Sequence, residues 1–316
     1  MRIFVCFLLA SSLLFAKPEP PPMKPWLTGS LIAPVGFVIP RGHFDVRSFV
    51  FTGVENGVYD NSWSIHGRHN FYTFNPQVVA IFGLLKWMDL QISPQFFWNS
   101  THGHNAIHIG DLPIALDFQL YPVNKSWFPG VKFTLQETFP IGRYKNFNPK
   151  TFNIERSGTG SFATDINLLF YKVYHIRDDF FVSTTLSLAY TINTPVHLFG
   201  FNSYGGGYGT HGRLLPGNIF TALFAFEYTF DQNWVFAMDT IYTRTQETHF
   251  SGSHGTTSSG KTAPIVHRSQ DLFSFSPSVE YNFSEHFGIC FGGYFSAFGR
   301  NTKVFRNGAF NLAYAY

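Results

Sequence analysis

The chain has 316 residues and a net charge of +3; only 13% of residues are charged while 19% are aromatic, Phe alone numbering 39. A water-soluble domain carries about 25% charged residues, so an ordinary soluble surface is excluded, and so small and scattered a positive charge argues against a nucleic-acid partner. A helical membrane protein is excluded too: the longest apolar run, IFVCFLLASSLLFA near the start, is about 14 residues, short of the roughly 18 needed to span.

That run reads as a secretion signal over residues 1–16, with Arg2 as its positive start and Ala16 as the cleavage position before Lys17. Leu14 departs from the small residue preferred two places earlier. Cys6 leaves with the signal, so the mature chain keeps Cys290 and can form no internal disulfide. Residues 17–41, KPEPPPMKPWLTGSLIAPVGFVIPR, hold too many prolines for a central strand. They read as a periplasmic leader, either loose or folded up as a partial plug.

From residue 42 to 316 polarity alternates with period 2. In LQISPQFFWN, Leu90, Ile92, Phe96 and Trp98 oppose Gln91, Ser93, Gln95 and Asn99. In DLPIALDFQLY, Leu112, Ile114, Leu116, Phe118 and Leu120 oppose Asp111, Asp117 and Gln119. VKFTLQ sets Val131, Phe133 and Leu135 against Lys132, Thr134 and Gln136, and FFVSTTLSLAYTIN sets Leu186 and Leu188 against Ser183, Thr185 and Ser187. The pattern predicts about twelve strands, at roughly 43–53, 70–82, 90–99, 110–121, 131–139, 161–173, 180–192, 218–229, 234–245, 271–282, 287–298 and 304–316. Pro76, Pro94, Pro113 and Pro277 fall inside them and predict bulges or breaks.

Short links such as DQNW (231–234) and FSEH (283–286) alternate with long polar stretches: VENGVYDNSWSIHGR, NSTHGHNAIH, and the regions 141–160, 194–217 and 248–269. EYTFDQNWVFAMD and VEYNFSEHFGICFGG are similar hairpins, with aromatic residues beside their turns. Trp87, Trp127, Phe128 and Trp234 would form the inner interfacial girdle. The fold class is therefore all-β: a closed antiparallel transmembrane β-barrel over residues 42–316, with short periplasmic turns, long outer loops and both ends in the periplasm. A soluble sandwich or propeller would leave the Phe-rich faces in water. The chain ends in a strand, GAFNLAYAY, whose free edge needs the first strand as partner.

The segments GSLIAPVGFVIPRGHFDVRSFVF, EYTFDQNWVFAMD and FNLAYAY together resemble outer-membrane β-barrel proteins of the family named after the meta-pathway of phenol degradation, a transporter group. The resemblance covers nearly all of the mature chain and rests on patterns rather than a diagnostic motif. It implies passage of small molecules, apolar ones included, across the bacterial outer membrane, and its terminal aromatic strand implies recognition by the barrel-assembly machinery.

With the apolar face on lipid, the candidate lumen-lining residues are Asp117, Lys132, Asp165, Glu227, Asp239 and Glu280, joined by Asp111, Asp45 and Arg47. Asp117, Glu227, Asp239 and Glu280 each lie near a short turn, at one depth in the lower half. They would either favour cations in a pore or pair with Lys132, Arg47, Lys24 and Arg41 in a network that closes it.

Most histidines, His267 among them, fall in or beside the outer loops. THGHNAIH makes His102, His104 and His108 weak candidates for a metal, against plain loop composition. YGGGYGTHG (204–212) lacks the lysine-serine ending of a phosphate-binding loop. No cofactor is expected. Ser284, Glu285 and His286 are sequence neighbours whose side chains diverge from a tight turn, so no hydrolase relay is expected there. The sequence leaves three functions open: a barrel for small solutes, a surface barrel whose outer loops bind partners, and a membrane-embedded lipid hydrolase.

Overall fold

A computed structural model describes residues 25–124, 127–177, 180–266 and 268–316. The expected signal over 1–16, the leader up to Lys24, and His267 lie outside them. The described residues form seventeen strands: β1 (Phe44–Tyr59), β2 (Ile65–Leu85), β3 (Met88–Ile92), β4 (Phe96–Thr101), β5 (His104–Ile109), β6 (Leu112–Tyr121), β7 (Gly130–Phe139), β8 (Ala163–Arg177), β9 (Phe180–Asn193), β10 (Val196–Phe199), β11 (His211–Leu215), β12 (Ile219–Thr229), β13 (Trp234–Thr245), β14 (His249–Ser253), β15 (Gln270–Asn282), β16 (Phe287–Arg300) and β17 (Lys303–Ala315). No helix among these residues is long and apolar enough to cross a membrane.

Twelve staves make a closed antiparallel barrel. Two of them are interrupted. β3 and β4 form one stave broken around Pro94, which has no amide hydrogen for the ladder, and β5 and β6 form another broken at Gly110–Asp111. The first strand closes the ring, pairing with β2 on one side and with β17 on the other, from Asp45↔Ala315 to Val58↔Lys303. At the inner end of this seam Phe44 and Tyr316 exchange both backbone hydrogen bonds at 2.8 Å. The Phe44 ring lies 6.0 Å from that of Tyr314 and 5.9 Å from that of Tyr316. Closure removes the edge that a terminal strand would otherwise expose.

The burial pattern inverts that of a soluble barrel. Along β9, Ser183, Thr185 and Ser187 are buried while Leu186 and Leu188 are exposed. Phe74, Trp98, Leu135, Ile166, Phe224 and Phe310 continue the exposed apolar band on other staves. Trp87, Trp127 and Trp234 stand exposed beside the short turns, Trp127 at 89%.

The other end, called outer here, is built in two ways. The polar stretches 54–68 and 99–108 continue the wall as extended hairpins rather than leaving it as loops: β1 runs on to Tyr59, and β4 turns into β5 at His102–Gly103, both with positive φ. Above the apolar belt both faces of a hairpin can be polar, so the period-2 signal fades while the pairing persists. The connections after β7, β9 and β13 fold together as a cap instead. Strands β10, β11 and β14 form a small sheet there, and Val196, Leu198, Leu214 and Ile265 are buried against it with Tyr144, Tyr204 and Phe250.

Candidate functional site

A coil inside a barrel has no ladder for its backbone, so each buried amide needs an acceptor from the wall. Residues 25–43 run inside the inner half of the barrel, and the wall supplies those acceptors. Glu280 accepts from the Thr28 amide at 3.0 Å. Asp239 accepts from the Ser30 hydroxyl at 2.6 Å and the Ile32 amide at 3.1 Å. Asp89 accepts from the Ile39 amide at 2.7 Å, and the Gln119 side-chain oxygen from the Val38 amide at 2.9 Å. Asn282 holds the segment's start, donating to the Trp26 carbonyl at 3.1 Å and accepting from the Thr28 hydroxyl.

Apolar contacts complete the seat. Leu31 packs on Cys290 and Ala309, and Ile32 and Ala33 pack on Leu223, Ala225 and Ile241. Small residues make the close approach possible. A Cβ at Gly288 would fall 1.9 Å from the Thr28 hydroxyl oxygen, and one at Gly36 would fall 2.2 Å from the Tyr171 ring.

The structure gathers five of the six candidate lumen residues here, on the plug or on one another. Asp117, Glu227, Asp239 and Glu280 are at most 5% exposed. Lys132 reaches Asp117 at 3.3 Å, and Thr134 also donates to Asp117. Glu227 accepts from the Ser183 hydroxyl and lies beside Glu280. Asp45 and Arg47 pair at 2.8 Å. Asp165 stands apart, half-buried toward the outer end and accepting from Thr191 at 2.6 Å.

The partners differ from those expected of the leader. Arg41 is exposed, Lys24 lies outside the described residues, and backbone amides and hydroxyls meet the carboxylates instead. Asp89 belongs to the same set but falls outside the strands that the alternation predicts. It precedes the predicted strand start at Leu90 by one position, and it pairs directly with Asp117.

The outer half is open. A cavity of about 360 Å³ has Ile32 of the inner segment at its floor and Phe51, Phe97, Tyr294 and Phe305 among its walls, with Asn75, Gln77 and Asn307 between them. A second, of about 470 Å³, lies at the mouth, and Glu55 lines both. Glu55 keeps the inward parity of Asp45 and Arg47, and just beyond it β1 bulges at Asn56, one residue longer than β17 and shorter than the looped-out stretch of β2. Below the floor, the two voids beside the inner segment measure about 40 Å³ each.

The connection after β7 folds into the mouth, and wall side chains anchor it. Asn99 donates to the Ile154 and Arg156 carbonyls at 2.9 and 2.8 Å. Asp111 accepts from the Gly142 and Thr159 amides at 2.9 and 2.8 Å, so this inward carboxylate positions a loop.

The three candidate metal histidines do not converge. His104 and His108 sit four positions apart on β5, about 13 Å along a strand, and His102 is stacked between His69 and Phe152. Shielding within that stack, with His69 and His104 nearby, holds the His102 imidazole below its usual pKa. Among the described residues no group of three or more His, Cys, Asp or Glu side chains could hold a metal ion. The Ser284 hydroxyl oxygen accepts from the His286 and Phe287 amides at 3.2 and 3.1 Å, so it shapes a turn.

Neither a family model nor a curated protein matches the chain. Among solved structures, an outer membrane channel from Pseudomonas putida F1 is similar at a TM-score of 0.64 and 13% identity, covering 89% of this chain and 98% of that one. The likeness is one of fold, a closed antiparallel barrel of the outer-membrane type. The β domain of the Bordetella autotransporter BrkA (TM-score 0.46, 8% identity, 87% of this chain and 99% of that) and the CymD monoaromatic hydrocarbon channel (0.38, 8%, 88% and 89%) are looser likenesses.

Proposed function

We propose that this chain is a channel of the bacterial outer membrane, without enzymatic activity, that admits small molecules at its outer mouth and is closed below by its own residues 25–43. One observation carries the reading: two adjoining cavities descend from the mouth and stop on Ile32, under which wall carboxylates hold the segment. Aromatic walls with amide side chains between them suit small solutes of low polarity, apolar ones included. Solute release to the periplasm would then require the segment to move.

The chain would reach the lipid bilayer through the barrel-assembly machinery, its C-terminal aromatic strand acting as the signal. Purified protein in planar bilayers and in liposome-swelling assays tests the function. The expected result is low conductance from the intact chain and high conductance once residues 25–40 are removed. Silence from both forms would leave a surface barrel whose loops bind partners.

A further inference from the structure

The mouth cavity has a chemistry that neither the barrel nor the plug requires. The rings of His69, His102 and Phe152 form a stack, with centroids 3.6 and 4.1 Å apart and planes within 21° and 18°, and all three line the cavity. Phe71 lines it too, and the Arg156 guanidinium lies 5.6 Å from the Phe71 ring centre.

The charges around these rings are unbalanced. Arg68, Arg156 and Lys303 face a single lining carboxylate, Glu55, so three cations minus one anion leave an excess of two positive charges. Lys303 at 2.6 Å and Arg156 at 3.4 Å both engage Glu55. Arg68 has no carboxylate within salt-bridge distance among the described residues, and it is exposed.

A solute at this mouth thus meets aromatic faces and a positive field together. Planar rings stack on such faces, and a guanidinium binds a carboxylate through two parallel hydrogen bonds. The field also raises the local concentration of anions before any contact forms. Glu55 does not oppose an anion here, because its nearer partner Lys303 alone neutralises it and leaves the more distant Arg156 for the solute. We propose that the mouth cavity is a binding site for planar aromatic carboxylates, with Arg68 and Arg156 taking the carboxylate and the His69–His102–Phe152 stack taking the ring. The inference rests on the channel reading and names the solute class for it.

Calorimetric titration of the purified full chain in detergent tests this, using naphthoate, its neutral counterpart naphthylmethanol, and the saturated decalin carboxylate. Naphthoate should bind at least about tenfold more tightly than either, since one hydrogen bond to a charged group is worth about that factor. Arg68→Gln should remove most of the naphthoate preference and leave naphthylmethanol unmoved. Phe152→Leu should weaken both arenes and spare the decalin carboxylate. A mobility shift between unboiled and boiled samples on a denaturing gel verifies that each variant remains a closed barrel.

Equal affinity for the three probes, or naphthoate binding indifferent to Arg68→Gln, overturns the inference. Conductance without naphthoate binding overturns it and leaves the channel reading standing. Naphthoate binding without conductance, even after the inner segment is removed, overturns the channel reading instead.

Discussion

The two halves of the barrel interior share the same strands and are finished in opposite ways. In the inner half, the carboxylates of Asp89, Asp239 and Glu280 are met by amides and a hydroxyl of residues 28–39, and the neighbouring voids measure about 40 Å³. In the outer half, Asn75, Gln77 and Asn307 line open space in a cavity of about 360 Å³, and a second of about 470 Å³ lies at the mouth. An inward polar face therefore does not decide whether a barrel conducts. What decides it is whether the same chain brings donors to that face.

Removing residues 25–40 should break the contrast most completely. Conductance should rise several-fold and turn cation-selective, because Asp89, Asp239 and Glu280 would then face water in a pore. Unchanged single-channel conductance would mean that the outer half, not the inner, sets the limit.

Asp239→Ala should loosen the seat without removing it. Ser30 and Ile32 lose an acceptor together, at a cost of about 1.5 to 3 kcal/mol for each hydrogen bond to a charged group. Flickering openings and faster proteolysis near residue 30 would report it.

Asn99→Ala tests the outer half with a smaller effect. It removes two neutral hydrogen bonds to the loop after β7, about 1 kcal/mol each, and should raise current noise while leaving the plug protease-resistant.

The least effect is expected at the turn between β1 and β2. His66, together with the Ser64 and Ser62 amides, holds the Asp60 carboxyl below its usual 3.8. A depressed carboxyl stabilises the fold above its unfolded value and loses that contribution as pH falls through the folded one. Amide-exchange protection at Ser62 and Ser64 should therefore hold at neutral pH and disappear only below the ordinary carboxylate range. Loss of protection near pH 6 would show that His66, rather than Asp60, governs the turn.

Much of the wall was legible because lipid on one side and polar groups on the other impose period 2. Lys132, Glu227, Asp239 and Glu280 take their inward side from that parity, and the β1–β17 seam follows from a terminal strand that needs a partner. Three features were not legible. Asp89 lies beside a turn, where alternation has only begun. Glu55 reads as a loop residue because the polar stretch from residue 54 hides the alternation, yet it continues the inward parity of Asp45 and Arg47 and lines both cavities. His102, read as a metal candidate, is a stacked ring, because its partners His69 and Phe152 come from other elements.

By itself the sequence determined the class of fold, the count of staves, their facing and the closure, since each of these follows from local alternation and from the need to pair every backbone group in lipid. The tertiary structure alone decided where residues 25–43 sit, which carboxylates hold them and how the outer mouth is lined. A proline-rich coil has no periodicity to read, and its acceptors lie up to 254 positions away along the chain.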